Sequence, residues 1–144
     1  MITGTYFIKL NSGGWIRFPR NWRYDILTGW LPNHFGLGRY KTEDEGLFRL
    51  FPWQEEYSQK YDLHEVFDYL IDSDNLEIRP NKEEAIELIS RGFNTKNPPP
   101  VRLRIPIEIR RAYHLKPGEE LVVLGLQDSI EVWRKVDYEK CFNT

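Results

Sequence analysis

The sequence predicts an α+β, strand-rich fold made of two unequal halves around a helical connector. Three observations carry this expectation. Short stretches of β-formers alternate with polar residues and end in glycine or proline turns. The middle of the chain carries apolar residues at helical spacing. The two ends of the chain can be laid over each other. The chain has 144 residues, 40% of them hydrophobic and 15% aromatic, enough to build a core.

Thr3–Leu10 reads as a strand on Tyr6, Phe7 and Ile8, and Asn11-Ser12-Gly13-Gly14 as the turn that follows. Trp15–Phe18 is a second strand stopped by Pro19, and Arg20–Leu27 a short helix with that proline at its start. Thr28–Glu45 is polar and glycine-rich, so a long loop or irregular hairpin is expected there. Leu47–Phe51 is a strand, and Pro52 is expected to open a helical turn through Tyr57. Leu63, Val66, Phe67, Leu70 and Ile71 predict an amphipathic helix over 62–71, ended by Asp72-Ser73-Asp74-Asn75. A second helix is predicted over 81–92. Asn81 suits its N-cap, Glu83 and Glu84 its positive end, and Gly92 its C-terminal cap. Thr95–Pro100 is a proline-rich linker.

Val101-Arg102-Leu103-Arg104-Ile105 alternates strictly, which puts both arginines on one face of a strand that Pro106 ends. A short helix over 107–113 and a turn at Lys116-Pro117-Gly118-Glu119 follow. Leu121–Leu126 reads as a strand buried on both faces, Gln127-Asp128-Ser129 as a tight turn, Ile130–Trp133 as the last strand and Val136–Phe142 as a terminal helix. The resulting organisation is a first half at 1–58 with an insertion at about 28–45, a connector at 59–95 and a second half at 96–144, all in one compact unit.

Trp15-Ile16-Arg17-Phe18-Pro19-Arg20-Asn21-Trp22-Arg23 aligns with Arg102-Leu103-Arg104-Ile105-Pro106-Ile107-Glu108-Ile109-Arg110, and Leu47–Phe51 with Ser129–Trp133. A unit of this size cannot bury its apolar faces alone, whereas two copies can close on each other and remove open strand edges. The motif at 102–111, with the following Leu115-Lys116-Pro117-Gly118-Glu119-Glu120-Leu121, resembles the SpoVT/AbrB swapped-hairpin family. Two copies in one chain, with Ile130-Glu131-Val132-Trp133 and Tyr138 at the end, look like its MraZ branch. The resemblance implies two swapped-hairpin halves forming a pseudo-dimeric small barrel. It also implies transcription regulation through a basic β-surface on DNA, and self-assembly into a homo-oligomer, a dimer or a ring. Carried over, Arg102, Arg110 and Arg111 are DNA-contacting positions. Trp15 replaces the first copy's arginine, Asn11 its acid, and Pro98 and Val101 replace the acid and glycine of the second copy.

The net charge is −2, but it is unevenly spread. Residues 1–41 carry six cations against Asp25, residues 62–90 nine acids against Arg79 and Lys82, and residues 96–118 six cations against Glu108. Two basic blocks thus flank an acidic middle. Arg102, Arg104, Arg110 and Arg111, joined by Arg17, Arg20 and Arg23, are the expected DNA-binding residues. The competing expectation is a protein-interaction module, antitoxin-like or an oligomeric scaffold, with the acidic middle covering these arginines. Trp15, Trp22 and Trp30 sit among polar residues, where a surface or interface role is open to them.

An enzyme is not expected. His34, His64 and His114 have no ligand-spaced neighbours, Asp72-Ser73-Asp74 lacks the rest of a calcium loop, and Gly36-Leu37-Gly38 lacks the rest of a phosphate-binding fingerprint. Neither metal nor cofactor is expected. One cysteine, Cys141, and no apolar run near the ~20 residues of a membrane span point to a reducing, cytoplasmic setting without membrane contact. No secretory leader is read at the start of the chain.

Overall fold

A computed structural model describes residues 1–30, 34–53, 63–69, 74–79, 81–91 and 98–142. The chain is strand-rich α+β, and every described strand pair is antiparallel. The strands are β1 (Thr3–Lys9), β2 (Trp15–Arg17), β3 (Phe35–Tyr40), β4 (Phe48–Pro52), β5 (Leu63–Tyr69), β6 (Leu76–Ile78), β7 (Val101–Arg104), β8 (Glu120–Leu126) and β9 (Ile130–Arg134). The helices are α1 (Arg20–Asp25), α2 (Lys82–Ser90), α3 (Ile107–Ala112) and α4 (Lys135–Phe142). One sheet has the order β1-β8-β9-β4-β3-β5 and the other β2-β7-β6. No described helix is long and apolar enough to cross a membrane.

The two strand–proline–helix segments are built alike. Asn11 Oδ1 accepts from the backbone N–H of Gly13 and of Trp15, each at 2.9 Å, and shapes the turn into β2. Pro19 and Pro106 both stand before their helices with extended backbone (φ −53°, ψ 143° and φ −51°, ψ 139°). Arg23 Nε donates to the Phe18 carbonyl at 3.0 Å, and Arg110 Nε to the Ile105 carbonyl at 2.9 Å. Phe18 N donates to Val101 O (3.1 Å) and Ile105 N to Gly14 O (2.9 Å). The last two bonds are equivalent, since Phe18 aligns with Ile105 and Val101 with Gly14.

The core runs through both segments. It includes Ile16, Trp22, Leu27, Leu37, Phe48 and Leu50 from the first, with Leu103, Ile105, Ile109, Leu121, Val123 and Val132 from the second. Ser129 is buried among them and receives a hydrogen bond from Arg49 Nε at 3.0 Å. Arg49 also pairs with Glu131, to whose two carboxylate oxygens Tyr40 Oη and Trp133 Nε1 donate at 2.7 and 2.6 Å. A carboxylate at 16% side-chain exposure is tolerable there because both oxygens are satisfied.

Several expectations are corrected. Leu63–Tyr69 is strand β5, not part of a helix over 62–71. Its helical spacing is overridden by pairing with β3, which has a second edge to fill. The connector therefore contributes β5 and β6 as well as the helix α2, whose N-cap is as expected: Asn81 Oδ1 accepts from Glu84 N at 3.0 Å. Gly92, the expected end of that helix, lies outside the described residues. Of the two expectations for 28–45, a long loop or an irregular hairpin, the described residues follow the second, with β3 paired antiparallel to β4. A π-helical turn (Ile26–Trp30) continues α1, β3 follows, and Glu43–Glu45 is a 3₁₀ turn.

Gly36 and Gly38 read as loop signals but are needed for space. A Cβ on Gly36 would meet the Phe51 ring at 2.5 Å, and one on Gly38 the Leu63 side chain at 2.1 Å. Pro52 is the last residue of β4, and the helical turn expected after it falls on 54–57, outside the described residues. Trp22 and Trp30 are core residues, not surface ones. Trp22 is fully enclosed because its indole N–H finds Thr3 O at 2.7 Å, which removes the cost of burying it. In β8, Leu121, Val122 and Val123 are buried, but Leu126 faces solvent at 39% exposure, so burial on both faces covers only the first part of the strand.

Candidate nucleic-acid interface

Strands β2 and β7 form a short two-stranded ribbon, with β6 on the far side of β7. Ile16 and Leu103 pair at its centre and point inward, leaving Trp15, Arg17, Arg102 and Arg104 on the other face. The register sets Arg17 directly opposite Arg102 and Trp15 opposite Arg104. Like charges directly opposite on a ladder are destabilising, by a few tenths of a kcal/mol up to about 1. The ribbon compensates on one side only. Glu77 of β6 pairs with Arg102, and Arg79 also reaches Glu77. Arg102 then lies over the Trp15 ring, 5.1 Å from its centroid, a cation–π contact between diagonal neighbours. With Arg102 bonded to it, the Glu77 carboxyl is held below its ordinary range.

The two helices after the prolines complete two arginine groups. Burial, then the charges of Arg17 and Arg20, lower the pKa of Arg23. Burial, then the charges of Arg104 and Arg111, lower that of Arg110, while Glu108 opposes the shift. Both guanidinium groups stay cationic, since arginine does not lose its proton in proteins. Arg17, Arg20 and Arg23 thus form one positive cluster, and Arg104, Arg110 and Arg111 the other.

Within them the side chains do different work. Arg23 and Arg110 use Nε to hold the carbonyl before each proline, and Arg104 Nε donates to Gly13 O at 2.9 Å. Arg17, Arg20 and Arg111 are exposed. Among the described residues, the side chains of Arg17 and Arg111 make no hydrogen bond or ion pair. Gly14 allows Arg110 its place: at φ +84°, a Cβ there would lie 2.7 Å from the guanidinium carbon.

All seven expected arginines therefore fall on or beside the ribbon, but Arg102 is neutralised by the acidic middle. Glu77 was not singled out in the sequence. Leu76-Glu77-Ile78 does alternate, but three residues are too short a run to read as a strand. Among the described residues no group of three His, Cys, Asp or Glu side chains converges as a metal site would. Compared with protein-family models and with curated proteins, the chain matches none.

Proposed function

We propose that the protein is a DNA-binding transcriptional regulator of AbrB/MraZ type, two swapped-hairpin halves closed on each other as a pseudo-dimer that contacts DNA through the ribbon arginines. Two registers support the pseudo-dimer. If Trp15, Ile16 and Arg17 correspond to Arg102, Leu103 and Arg104, the observed pairs Trp15–Arg104, Ile16–Leu103 and Arg17–Arg102 of β2 and β7 obey a two-fold axis through Ile16–Leu103. The same axis accounts for Phe48–Val132, Arg49–Glu131 and Leu50–Ile130 between β4 and β9. Strand β1 of the first half pairs with β8 of the second, and β5 of the connector, which leads into the second half, pairs with β3 of the first, as an exchange of leading strands would have it.

The observation that carries the DNA reading is the pair of arginine clusters flanking one short ribbon, with Arg17 and Arg111 exposed and without protein partners among the described residues. Clustered cations of this kind are compensated by an anionic partner. Duplex DNA offers a phosphate charge every ~1.7 Å and a major groove that admits a β-ribbon. The test is fluorescence anisotropy on a labelled duplex pool at ~50 and ~200 mM salt, comparing wild type with Arg17→Ala/Arg111→Ala. Exposed side chains are replaced, so the fold is spared. Binding that weakens steeply with salt, and a double variant whose slope is shallower by up to ~1.8, is the expected result. A folded wild type that does not bind at the lower salt excludes the reading.

The Glu77–Arg102 pair favours a second reading, a protein-interaction module on the same fold. Under it, Glu77→Gln leaves the DNA result negative. Under the DNA reading the same change frees Arg102 and tightens binding.

A further inference from the structure

The ends of the six-stranded sheet differ. Beside β1, α1 fills the space: Trp22 Nε1 donates to Thr3 O at 2.7 Å and Asn21 Nδ2 to Tyr6 Oη at 2.5 Å. The residues of α3 that align with Asn21 and Trp22 are Glu108 and Ile109, which carry neither the amide nor the indole donor. Beside β5 there is instead an open cleft of about 650 Å³, within the ~300–1,000 Å³ of ligand sites.

Four consecutive residues of β5, Val66 to Tyr69, line this cleft. Successive side chains of a strand point to opposite faces, so a cleft touched by four in a row meets the edge of the strand rather than one face. Among the described strands β5 is last in its sheet, and its described backbone ladder is with β3 alone. The opposite wall is α3, with Ile107 exposed at 39% and Glu108 beside it. Arg104 and Arg110 also line the cleft. Their Nε atoms are committed to Gly13 O and Ile105 O, and among the described residues their terminal nitrogens bond to nothing. Asp68, on the strand, lies 2.8 Å from His34 Nδ1.

We propose that this cleft is a binding site for an extended peptide of a partner protein, which adds to β5 as a seventh strand. An open strand edge is recognised by the backbone of another extended chain. The side-chain chemistry beside it selects a peptide with an acidic residue for the free guanidinium nitrogens of Arg104 and Arg110, next to an apolar residue for Phe67 and Ile107. Arg104 and Arg110 also belong to the expected DNA-contacting set, but β5 and Ile107, which the test below reads, do not, so the proposal can fail or hold independently of DNA binding.

The test is selection from a displayed library of random ten-residue peptides against the full chain. Selected peptides are synthesised and titrated against wild type and Ile107→Trp, which fills the cleft from an exposed position. Backbone amide exchange of β5 is followed with and without peptide. Enriched peptides that share an acidic and an apolar position, bind Ile107→Trp at least tenfold more weakly and slow exchange on β5 are the expected result. A circular dichroism spectrum and melting temperature unchanged in Ile107→Trp show that the loss is local. If no peptide is enriched, or enriched peptides bind both proteins equally, or β5 exchange is unchanged on binding, the site is not a peptide site.

Discussion

A single carboxylate decides how much of the ribbon's charge is open. Glu77 holds Arg102, and that bond holds the Glu77 carboxyl below its ordinary range. The folded pKa is thus lower than the unfolded one, near ~4.3, so the pair's contribution is complete above ~4.3 and is lost as pH falls through the lower folded value. A ¹³C-detected titration of Glu77 is expected to show a midpoint below that of a peptide glutamate, and in Arg102→Ala the midpoint should return upward. Trp22 is the other residue on which much depends. It is fully buried and its indole N–H is bonded to Thr3 O. Trp22→Ala should cost about 3–5 kcal/mol in urea denaturation. Trp22→Phe, which keeps most of the volume and loses the hydrogen bond, should cost distinctly less. Equal losses would mean that the Thr3 bond dominates.

Among the elements, β1 depends most on a neighbour's missing side chain. A Cβ on Gly125 of β8 would lie 2.7 Å from Thr3 N and 2.8 Å from Ile2 C and O. Backbone cannot swing aside as a flexible side chain can. Gly125→Ala should therefore displace the start of β1, destabilise by about 1–3 kcal/mol and speed amide exchange along Thr3–Lys9. Gly29→Ala is the control, since nothing lies within 4 Å of the added carbon, and it should leave both readouts unchanged. For α2, Asn81→Ala removes the side-chain cap and should cost about 1 kcal/mol. The elements also show where sequence reading works. Proline-stopped strands and capped helices were legible because local chemistry sets them. Strand β5 was not, because Leu63, Val66 and Phe67 satisfy a helical spacing as well as a strand, and only the neighbouring β3 chooses between them.

Across the whole molecule, the pairing of β1 with β8 and of β3 with β5 means that neither end of the chain holds a complete sheet. Fragment 1–58 alone is expected to show no cooperative unfolding transition, and an equimolar mixture with 59–144 to regain one, followed by circular dichroism. A fragment 1–58 that unfolds cooperatively by itself would overturn the proposed exchange of leading strands. The same interleaving brings the basic ends into one site. Arg17 and Arg102 are 85 positions apart in sequence and directly opposite on the ribbon.

What the sequence by itself determined were the features carried by neighbouring residues: the alternation of Val101–Ile105, the prolines that end β2 and β7, the Asn81 cap, and the seven arginines as a group. What only the tertiary structure decided were the partners. Arg102 belongs to Glu77, Trp22 to Thr3, Arg23 and Arg110 to carbonyls five residues back, and β5 to β3, with no other partner strand among the described residues. The division has one physical cause. Capping, alternation and proline geometry act over a few residues, while burial, charge pairing and strand adjacency act through space between residues the chain holds far apart.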